Sequence, residues 1–256
     1  MLLDSPRLTP ADRDAWERLE HYDRLLSADP ALDTLADKAR ETITQFATEP
    51  CYASTSWGKD STVMTHLLAT TDVVVPLVWV RTEHYENPDC EFVRDAFFAM
   101  HPHMRDRYHE IVAPATSRRW WDDDDGGHKD SSRTLKGGFA IAEKRFGARH
   151  ISGIRGEESR IRTMVQARWG DAGPSACRPI GQWLATHVFA YLYRENLPVH
   201  PAYAMSMGGS KDRRWLRVSS IGGVRGADRG RAEWETYYYP DIVPEHAGGQ
   251  RATHHT

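Results

Sequence analysis

A short stretch at residues 54–61, with the sequence STSWGKDS, constrains this chain more than any other feature. The apolar residues 51–53 before it predict the end of a buried strand, and residues 62–68 after it predict a helix. A strand, a turn of small residues and a helix bring backbone N–H groups and the positive end of a helix dipole to one point, where an anion can bind. Gly58 permits close approach of the backbone, and Lys59 adds a mobile positive charge that suits a phosphate. The predicted phosphate-binding residues are Ser54, Ser56, Trp57, Gly58, Lys59, Asp60 and Ser61.

This stretch is not a Walker loop, which requires G-x-x-x-x-G-K-[ST]. Ala53 occupies the position of the first glycine, and Asp60 follows Lys59 where Ser or Thr is required. The pattern S-x-G-K-D-S at residues 56–61 instead resembles the pyrophosphate loop of the N-type ATP pyrophosphatases. The resemblance is to the branch that contains the PAPS reductases, the small subunit of ATP sulfurylase and the DNA-phosphorothioation pyrophosphatases. This chain departs from the family at Trp57, where the family usually has glycine.

A second motif follows a predicted strand at residues 149–153. Residues 153–162 match the family pattern G-x-R-x-x-E-S-x-x-R. The arginines of this segment suit a polyphosphate, although the segment alone could equally be a basic turn on the surface. Beside the first loop the phosphate interpretation is favoured, since loops at the ends of two strands can face one another across a sheet. The expected nucleotide-binding residues here are Gly153, Arg155, Glu158 and Arg162, with Glu158 holding one arginine in a fixed position.

A third candidate region is the turn after a predicted buried strand at residues 73–80. Ligands of open α/β sheets bind beyond the carboxyl ends of the strands. Residues 86–89, with the sequence ENPD, resemble the family's E-x-P-E segment, and residues 81–83 match its preceding D-T-G only in part. Two interpretations stay open. The turn binds the adenine and ribose, with Thr82 as a nucleotide-binding residue, or it only caps the next helix.

The order of the predicted elements indicates an α/β fold with a mostly parallel twisted sheet and helices on both faces. Further strands are predicted at 108–112 and 149–153, alternating with helices at 92–100 and 135–146. The family resemblance covers roughly residues 48–205 and implies the Rossmann-like arrangement of the adenine nucleotide alpha hydrolases. We accordingly expect three parts: an N-terminal helical segment at 1–47, a pyrophosphatase domain at 48–205 and a C-terminal extension at 206–256.

Other segments contribute to the fold more than to a site. Residues 179–183 and 197–203 resemble the family's P-[IL]-x-x-W and L-P-x-H-P-x-Y segments, which we interpret as signatures of the fold. Thr9 and Pro10 form a helix start, and that helix should run to about Ser27. One of its faces is apolar and is either core, as such stripes usually are, or a surface for a partner: Trp16, Leu19, Tyr22 and Leu26.

Composition and charge narrow the class of protein. A net charge of −3 over 256 residues gives no overall attraction to nucleic acid, and no apolar run approaches the roughly 18 residues of a membrane span. We expect a cytoplasmic protein without a secretion signal or a membrane partner. Three widely spaced cysteines form neither a disulfide framework nor a four-cysteine cluster, so we expect no iron–sulfur cluster and no zinc. The acidic run Asp122–Asp125 favours a solvated loop over a metal site.

The resemblance implies chemistry at the α-phosphate of ATP. In the family, attack there releases pyrophosphate and leaves AMP or an adenylylated substrate, and Mg²⁺ would arrive with the ATP. PAPS reductases carry in addition a cysteine in a C-terminal E-C-G-L-H segment, and no cysteine follows Cys177 in this sequence. We therefore expect an ATP pyrophosphatase that activates an acceptor in a sulfur-transfer or nucleic-acid modification system. Its expected catalytic residues are Lys59, Asp60 and Arg155.

Two alternatives stay open at this point. One is a sulfate adenylyltransferase similar to the small subunit of ATP sulfurylase, which would need a GTPase-like partner chain. The other is a nucleotide-binding module without turnover, in which Trp57 has weakened catalysis. The sequence does not identify the acceptor, for which nucleic acid is one candidate. A partner protein or a second copy of the chain is also expected.

Overall fold

The computed structural model of the chain describes residues 1–82, 85–113, 119, 121, 135–218, 220–222 and 230–244. The acidic run Asp122–Asp125 and the prediction made for it lie outside the described residues. The α-helices of the described part are α1 (Pro10–Ser27), α2 (Ala31–Phe46), α3 (Lys59–Ala69), α4 (Asp89–Met100), α5 (Leu135–Phe146), α6 (Arg160–Trp169), α7 (Ala185–Arg194) and α8 (Arg231–Tyr238). Its strands are β1 (Tyr52–Thr55), β2 (Leu77–Thr82), β3 (Tyr108–Ala113), β4 (His150–Ser152) and β5 (Ala176–Cys177).

The five strands form one parallel sheet in the order β3-β2-β1-β4-β5. Its centre is β1, where Ala53 lies opposite Leu77 of β2 and Ile151 of β4. A strand buried on both faces carries an almost continuous apolar run, which is why β2 could be recognised from its sequence. The prediction of an α/β fold with a parallel sheet is confirmed.

Helices cover both faces of the sheet, because successive side chains of a strand point to opposite sides. On one face, Trp79 and Ile151 belong to the main core, to which α2, α3, α4 and α7 also contribute. On the other face, Tyr52 and Val78 form a smaller cluster with Ala142 of α5. This two-sided cover leaves the ends of the strands as the place where a ligand can approach the sheet.

The predicted and observed elements differ where local signals are weak. The strand predicted at 73–80 begins only at Leu77, because Pro76 has no N–H to donate to a neighbouring strand. The apolar pattern does not predict α6, β5 and α8: β5 has two residues, and α6 has no buried residue. In the described part of the chain, no helix combines the length and the apolarity of a membrane span.

Both ends of the described chain pack into the core that contains the sheet. Trp16 of α1 and Trp234 of α8 belong to the main core cluster, whereas the other three members of the α1 stripe are exposed. Asp12 is fully buried and joins these ends. Its carboxylate accepts hydrogen bonds from the N–H groups of Ser206 and Gly208 and from the Tyr238 hydroxyl at 2.9–3.2 Å. The domain boundaries proposed after residues 47 and 205 stay a prediction.

Replacing Asp12 with Ala should lower the free energy of unfolding by about 3 kcal/mol, because several donors would stay buried without an acceptor. For a chain of this size, this corresponds to a fall in Tm of about 6–12 °C. Urea unfolding of Asp12→Ala, beside the exposed control Asp14→Ala, measures the effect. Equal stability of the two variants would show that this carboxylate does not tie the ends of the chain together.

Candidate functional site

The candidate site lies at the centre of the sheet, between β1 and β4. From β1 the chain winds to β2 and β3 on one side, and later to β4 and β5 on the other. The direction of winding reverses between β1 and β4, and a crevice forms beyond the carboxyl ends of the strands at such a switch point. The loops at 56–61 and 153–162 both leave the sheet here. Ser54 lies within β1, opposite Val78 and Ser152.

The first loop is closed by hydrogen bonds of Ser61. Its hydroxyl oxygen accepts from the N–H of Ser56 at 3.2 Å, and the hydroxyl donates to the carbonyl oxygen of Gly58 at 3.0 Å. Helix α3 begins at Lys59, directly after Gly58, so the positive end of its dipole lies at the loop. A Cβ on Gly58 would lie 2.7 Å from Val218 Cγ2 and 2.9 Å from the Tyr203 hydroxyl oxygen. The loop is thus a tightly covered turn at a helix N-terminus, the geometry that binds anions.

Trp57 adopts the left-handed backbone conformation, with φ at 58°. A residue other than glycine pays roughly 1–2 kcal/mol in that conformation, which gives a physical reason for the glycine usual in the family. The indole is fully buried and packs against Phe97, Phe98 and Tyr108, with ring centroids 5.5–5.9 Å apart. The side chain of this predicted nucleotide-binding residue therefore faces the core, and only its backbone is left to line the loop.

Lys59 and Asp60 form an ion pair in the first turn of α3. Lys59 Nζ lies 2.9 Å from Asp60 Oδ2 and 5.0 Å from the centroid of the Tyr203 ring. The Lys59 side chain is only 3% exposed, so the carboxylate and the ring together stabilise a buried charge. The N–H of Lys59 donates to the Tyr203 hydroxyl at 2.9 Å. Because burial raises the pKa of Tyr203 well above its ordinary value, that hydroxyl stays protonated.

The second loop touches the first at Gly153. A Cβ on Gly153 would lie 2.7 Å from the carbonyl carbon and oxygen of Asp60 and 2.8 Å from the backbone nitrogen of Ser61. Only a residue without a side chain lets the backbone beyond β4 approach the first turn of α3 this closely. The structure thus brings together the two motifs that the sequence places at the ends of two strands.

Arg155 joins the two loops. Its Nε donates to Asp60 Oδ1 at 2.6 Å, while Nη1 contacts Glu157 and donates to the carbonyl oxygen of Trp183 at 3.2 Å. The side chain is 1% exposed. Burial alone would lower the pKa of Arg155, but Asp60 and Glu157 raise it above its ordinary value. The guanidinium therefore holds Asp60, which in turn holds Lys59.

Glu158 holds Arg162, the role expected of it toward one arginine of the motif. Its Oε2 accepts from the Arg162 guanidinium and, at 3.3 Å, from the N–H of Arg155. The Arg162 side chain is 35% exposed. Across the two loops, cations and carboxylates balance, with Lys59, Arg155 and Arg162 facing Asp60, Glu157 and Glu158. A phosphate ligand would have to compete with these carboxylates for the cations.

Thr82 lies at the carboxyl end of β2, the strand beside β1. Its N–H and its hydroxyl donate to Glu86 Oε2 at 2.9 and 3.1 Å, and burial raises the pKa of Glu86. Asn87 Oδ1 accepts from the N–H of Asp89, the first residue of α4. The turn therefore caps the helix, and the binding of adenine or ribose by Thr82 stays a prediction.

Tyr203 and Val218 are residues of the site that the motifs alone did not assign to it. Both lie far along the chain from the first loop, yet they cover Gly58 directly. The available signal is the L-P-x-H-P-x-Y segment, whose final tyrosine reaches the N-terminus of α3. For Val218 the sequence offers no local signal.

The cysteines and metal-ligand residues do not form a further centre in the described part of the chain. No group of three or more His, Cys, Asp or Glu side chains there is arranged to hold a metal. All three cysteines are buried free thiols. Burial raises the pKa of Cys177 to about 12 and raises those of Cys51 and Cys90 above their ordinary value. A nucleophilic cysteine needs the opposite, a lowered pKa.

Replacing Gly153 with Ala should separate the two loops, because the added Cβ would overlap backbone atoms of α3. Overpacking of this kind costs about 1–3 kcal/mol, and we expect nucleotide affinity to fall at least about 10-fold. Gly173→Ala is the control, since a Cβ there meets Trp169 at an ordinary 3.6 Å. Equilibrium binding and urea unfolding measure both effects. Unchanged affinity in Gly153→Ala would contradict the contact between the loops.

Both motifs lie within the part of the chain that matches a known protein family. The model described as the phosphoadenosine phosphosulfate reductase domain matches residues 50–225. The phosphoadenosine 5'-phosphosulfate reductase of Synechococcus sp. is 24% identical over 180 residues, which cover 66% of this chain and 77% of the relative.

Two solved structures are similar at low sequence identity. One is the phosphoadenylyl-sulfate reductase of Candida auris in its phosphate complex, with a TM-score of 0.44 and 16% identity, covering 68% of this chain and 89% of that chain. The other is the U34-tRNA thiolase NcsA of Methanococcus maripaludis with its 4Fe-4S cluster. Its TM-score is 0.43 at 14% identity, covering 88% of this chain and 79% of that chain.

Proposed function

The chain belongs to the phosphoadenosine phosphosulfate reductase domain family, and on that premise we propose that it binds Mg·ATP at the switch point between β1 and β4 and cleaves the bond between the α- and β-phosphates. The products are pyrophosphate and either AMP or an adenylylated acceptor. Mg²⁺ enters as part of the substrate, held mainly by phosphates and water, as is usual for this ion. The acceptor belongs to a sulfur-transfer or nucleic-acid modification system.

One observation carries this proposal: the contact between Gly153 and the first turn of α3. It brings the positive end of a helix, the Lys59 ammonium and the arginine-bearing second loop to one point at the switch point of the sheet. Each of these features alone is common on protein surfaces. Together they form a site for a highly charged anion such as a triphosphate.

The ion pairs suggest how the site responds to the substrate. Lys59 exchanges the Asp60 carboxylate for the β- and γ-phosphates, which carry a larger negative charge. Asp60 stays bonded to Arg155. The acceptor attacks the α-phosphorus, the bond from that phosphorus to the bridging oxygen breaks, and pyrophosphate leaves with the electron pair. Lys59 and the helix end then stabilise the charge on the leaving group. Arg155, being buried, acts through Asp60 as a positioning residue.

The three cysteines should be dispensable for this chemistry, because all are buried with raised pKa values. A triple variant, Cys51→Ala with Cys90→Ala and Cys177→Ala, should cleave ATP within about 3-fold of the unmodified chain after correction for its folded fraction. Steady-state kinetics beside a circular dichroism spectrum check this. A folded triple variant without turnover would instead point to thiol chemistry of the reductase type.

Product analysis tests the proposed function against its alternatives. The chain is incubated with Mg²⁺ and ATP labelled at the α-phosphate, with and without sulfate, and the products are separated by chromatography. We expect AMP or an adenylylated acceptor together with pyrophosphate, with no need for sulfate. Adenylyl sulfate formed only with sulfate would assign the chain to the sulfurylase type. Release of ADP and phosphate, or binding of ATP without any product, would overturn the proposal.

A further inference from the structure

Helix α6 stands out because none of its residues is buried. Three large apolar side chains on it are exposed: Ile161 by 74%, Met164 by 64% and Trp169 by 46%. The same helix carries three arginines and no acidic residue, in a chain whose net charge is −3. This exposed helix is therefore positively charged, although the molecule as a whole is negative. Such a surface indicates a binding site for a polyanion.

The arginines of α6 differ in their availability. Arg162 is paired with Glu158 and belongs to the site described above. Arg160 and Arg168 are exposed, and neither has an ion-pair partner among the described residues. The Arg168 guanidinium lies 5.1 Å from the centroid of the Trp169 ring. A cation stacked beside an exposed indole can contact a phosphate and a base at the same time.

A second basic segment ends beside the first loop of the site. Residues 211–217, with the sequence KDRRWLR, include the exposed Trp215. Within it, Arg213 is buried and paired with Asp23, whereas Arg214 is exposed and paired with Asp212. The residue after this segment, Val218, covers Gly58 of the first loop. The second loop contacts the first at Gly153 and leads directly into α6, so both basic segments border the site between the two loops.

We propose that α6 and residues 211–217 form one surface, the basic rim, that binds single-stranded nucleic acid next to the ATP site. The identification of this strand as the acceptor rests on the proposed function, whereas its binding does not. Exposed Trp169 and Trp215 offer stacking surfaces that only unpaired bases can reach. Arginine, methionine and tryptophan are also frequent in protein interfaces, so an acidic protein is the competing occupant that the test has to exclude.

Fluorescence anisotropy without nucleotide tests the basic rim. The probes are labelled single strands of about 20 nucleotides, one DNA and one RNA, beside the corresponding duplex and a poly-glutamate peptide. The binding constant is measured between about 50 and 200 mM salt. The variants are Arg160→Gln with Arg168→Gln, and Trp169→Ala. The control, Arg18→Gln with Arg105→Gln, removes the same charge from exposed positions elsewhere.

We expect the single strands to bind more tightly than the duplex, whichever of DNA or RNA binds better. The double arginine variant should bind about 10-fold more weakly. The slope of the logarithm of its binding constant against the logarithm of the salt concentration should become shallower by about 1.4, since each phosphate contact contributes about 0.7 to this slope for a single strand. Trp169→Ala should lose about 10-fold through stacking. The control should match the unmodified chain.

Three results would overturn the basic rim: no binding of either strand, equal loss in the control and the α6 variants, or tighter binding of the peptide than of the strands. These outcomes are separate from the fate of the proposed function. If ATP is cleaved while no strand binds, only the basic rim is wrong. If strands bind at α6 while ATP is not cleaved, the rim stands and the ATP chemistry is wrong.

Discussion

Replacing Lys59 with Ala should lower kcat/KM for ATP cleavage by roughly 100- to 1,000-fold and leave the protein folded. The Lys59 ammonium is buried at the N-terminus of α3. In the proposed mechanism it neutralises phosphate charge both in bound ATP and in the leaving pyrophosphate. We therefore expect KM to rise and kcat to fall together. Asp60 keeps its bond to Arg155 in this variant, so no buried carboxylate is left alone.

Steady-state kinetics and urea unfolding of Lys59→Ala, beside the exposed control Lys144→Ala, measure these effects. Normal turnover in a folded Lys59→Ala protein would remove this lysine from the active site. Asp60→Ala is a poorer test, because this variant should also lose stability. Residues of loops usually contribute little to a core, but Asp60 is an exception. The structure places a buried guanidinium against Asp60, and removing one partner of a buried ion pair costs about 3–5 kcal/mol.

Replacing Arg155 with Lys should lower kcat about 100-fold and raise KM far less. Lysine keeps the charge, but its single ammonium cannot hold Asp60, Glu157 and the Trp183 carbonyl in the planar geometry of a guanidinium. Asp60 would then move, and with it the alignment of Lys59 on the leaving group. Because the side chain is buried, the same variant should also lose stability.

Glu157→Gln separates positioning from direct contact with the substrate. This substitution leaves Arg155 in place but weakens its anchor, so a positioning role predicts a fall in kcat of about 10-fold. A guanidinium that acts directly on the α-phosphate predicts little change, because its charge is retained. The exposed Arg105→Lys variant serves as control for both. Normal turnover in Arg155→Lys would contradict the site formed by the two loops.

The sequence could predict the sheet and the two loops because their signals are local. A buried apolar run followed by a small-residue turn and a helix start defines each βα unit, and the parallel sheet follows from their repetition. The order of strands then places the loops at 56–61 and 153–162 side by side. The boundaries expected at 48 and 205 stay a prediction. Asp12 joins the N-terminal segment to Ser206, and Trp234 belongs to the main core cluster.

The contacts that shape the site could not be predicted, because they join residues far apart in sequence. The hydrogen bond from Lys59 to Tyr203 spans 144 positions, and the one from Arg155 to Asp60 spans 95. Trp57 shows the same limit. Its place in the first loop suggests that the side chain contacts the ligand. The indole instead packs between Phe97, Phe98 and Tyr108, which are distant in sequence.

The central claim is that the phosphates of ATP bind at the N-terminus of α3, between the two loops. A crystal structure with Mg²⁺ and α,β-methylene-ATP, which resists cleavage at the α–β bond, tests it most directly. We predict that β- and γ-phosphate oxygens contact the backbone of residues 56–61, with Lys59 Nζ turned from Asp60 toward them. An analogue bound with its phosphates anywhere other than the switch point between β1 and β4 would contradict the account.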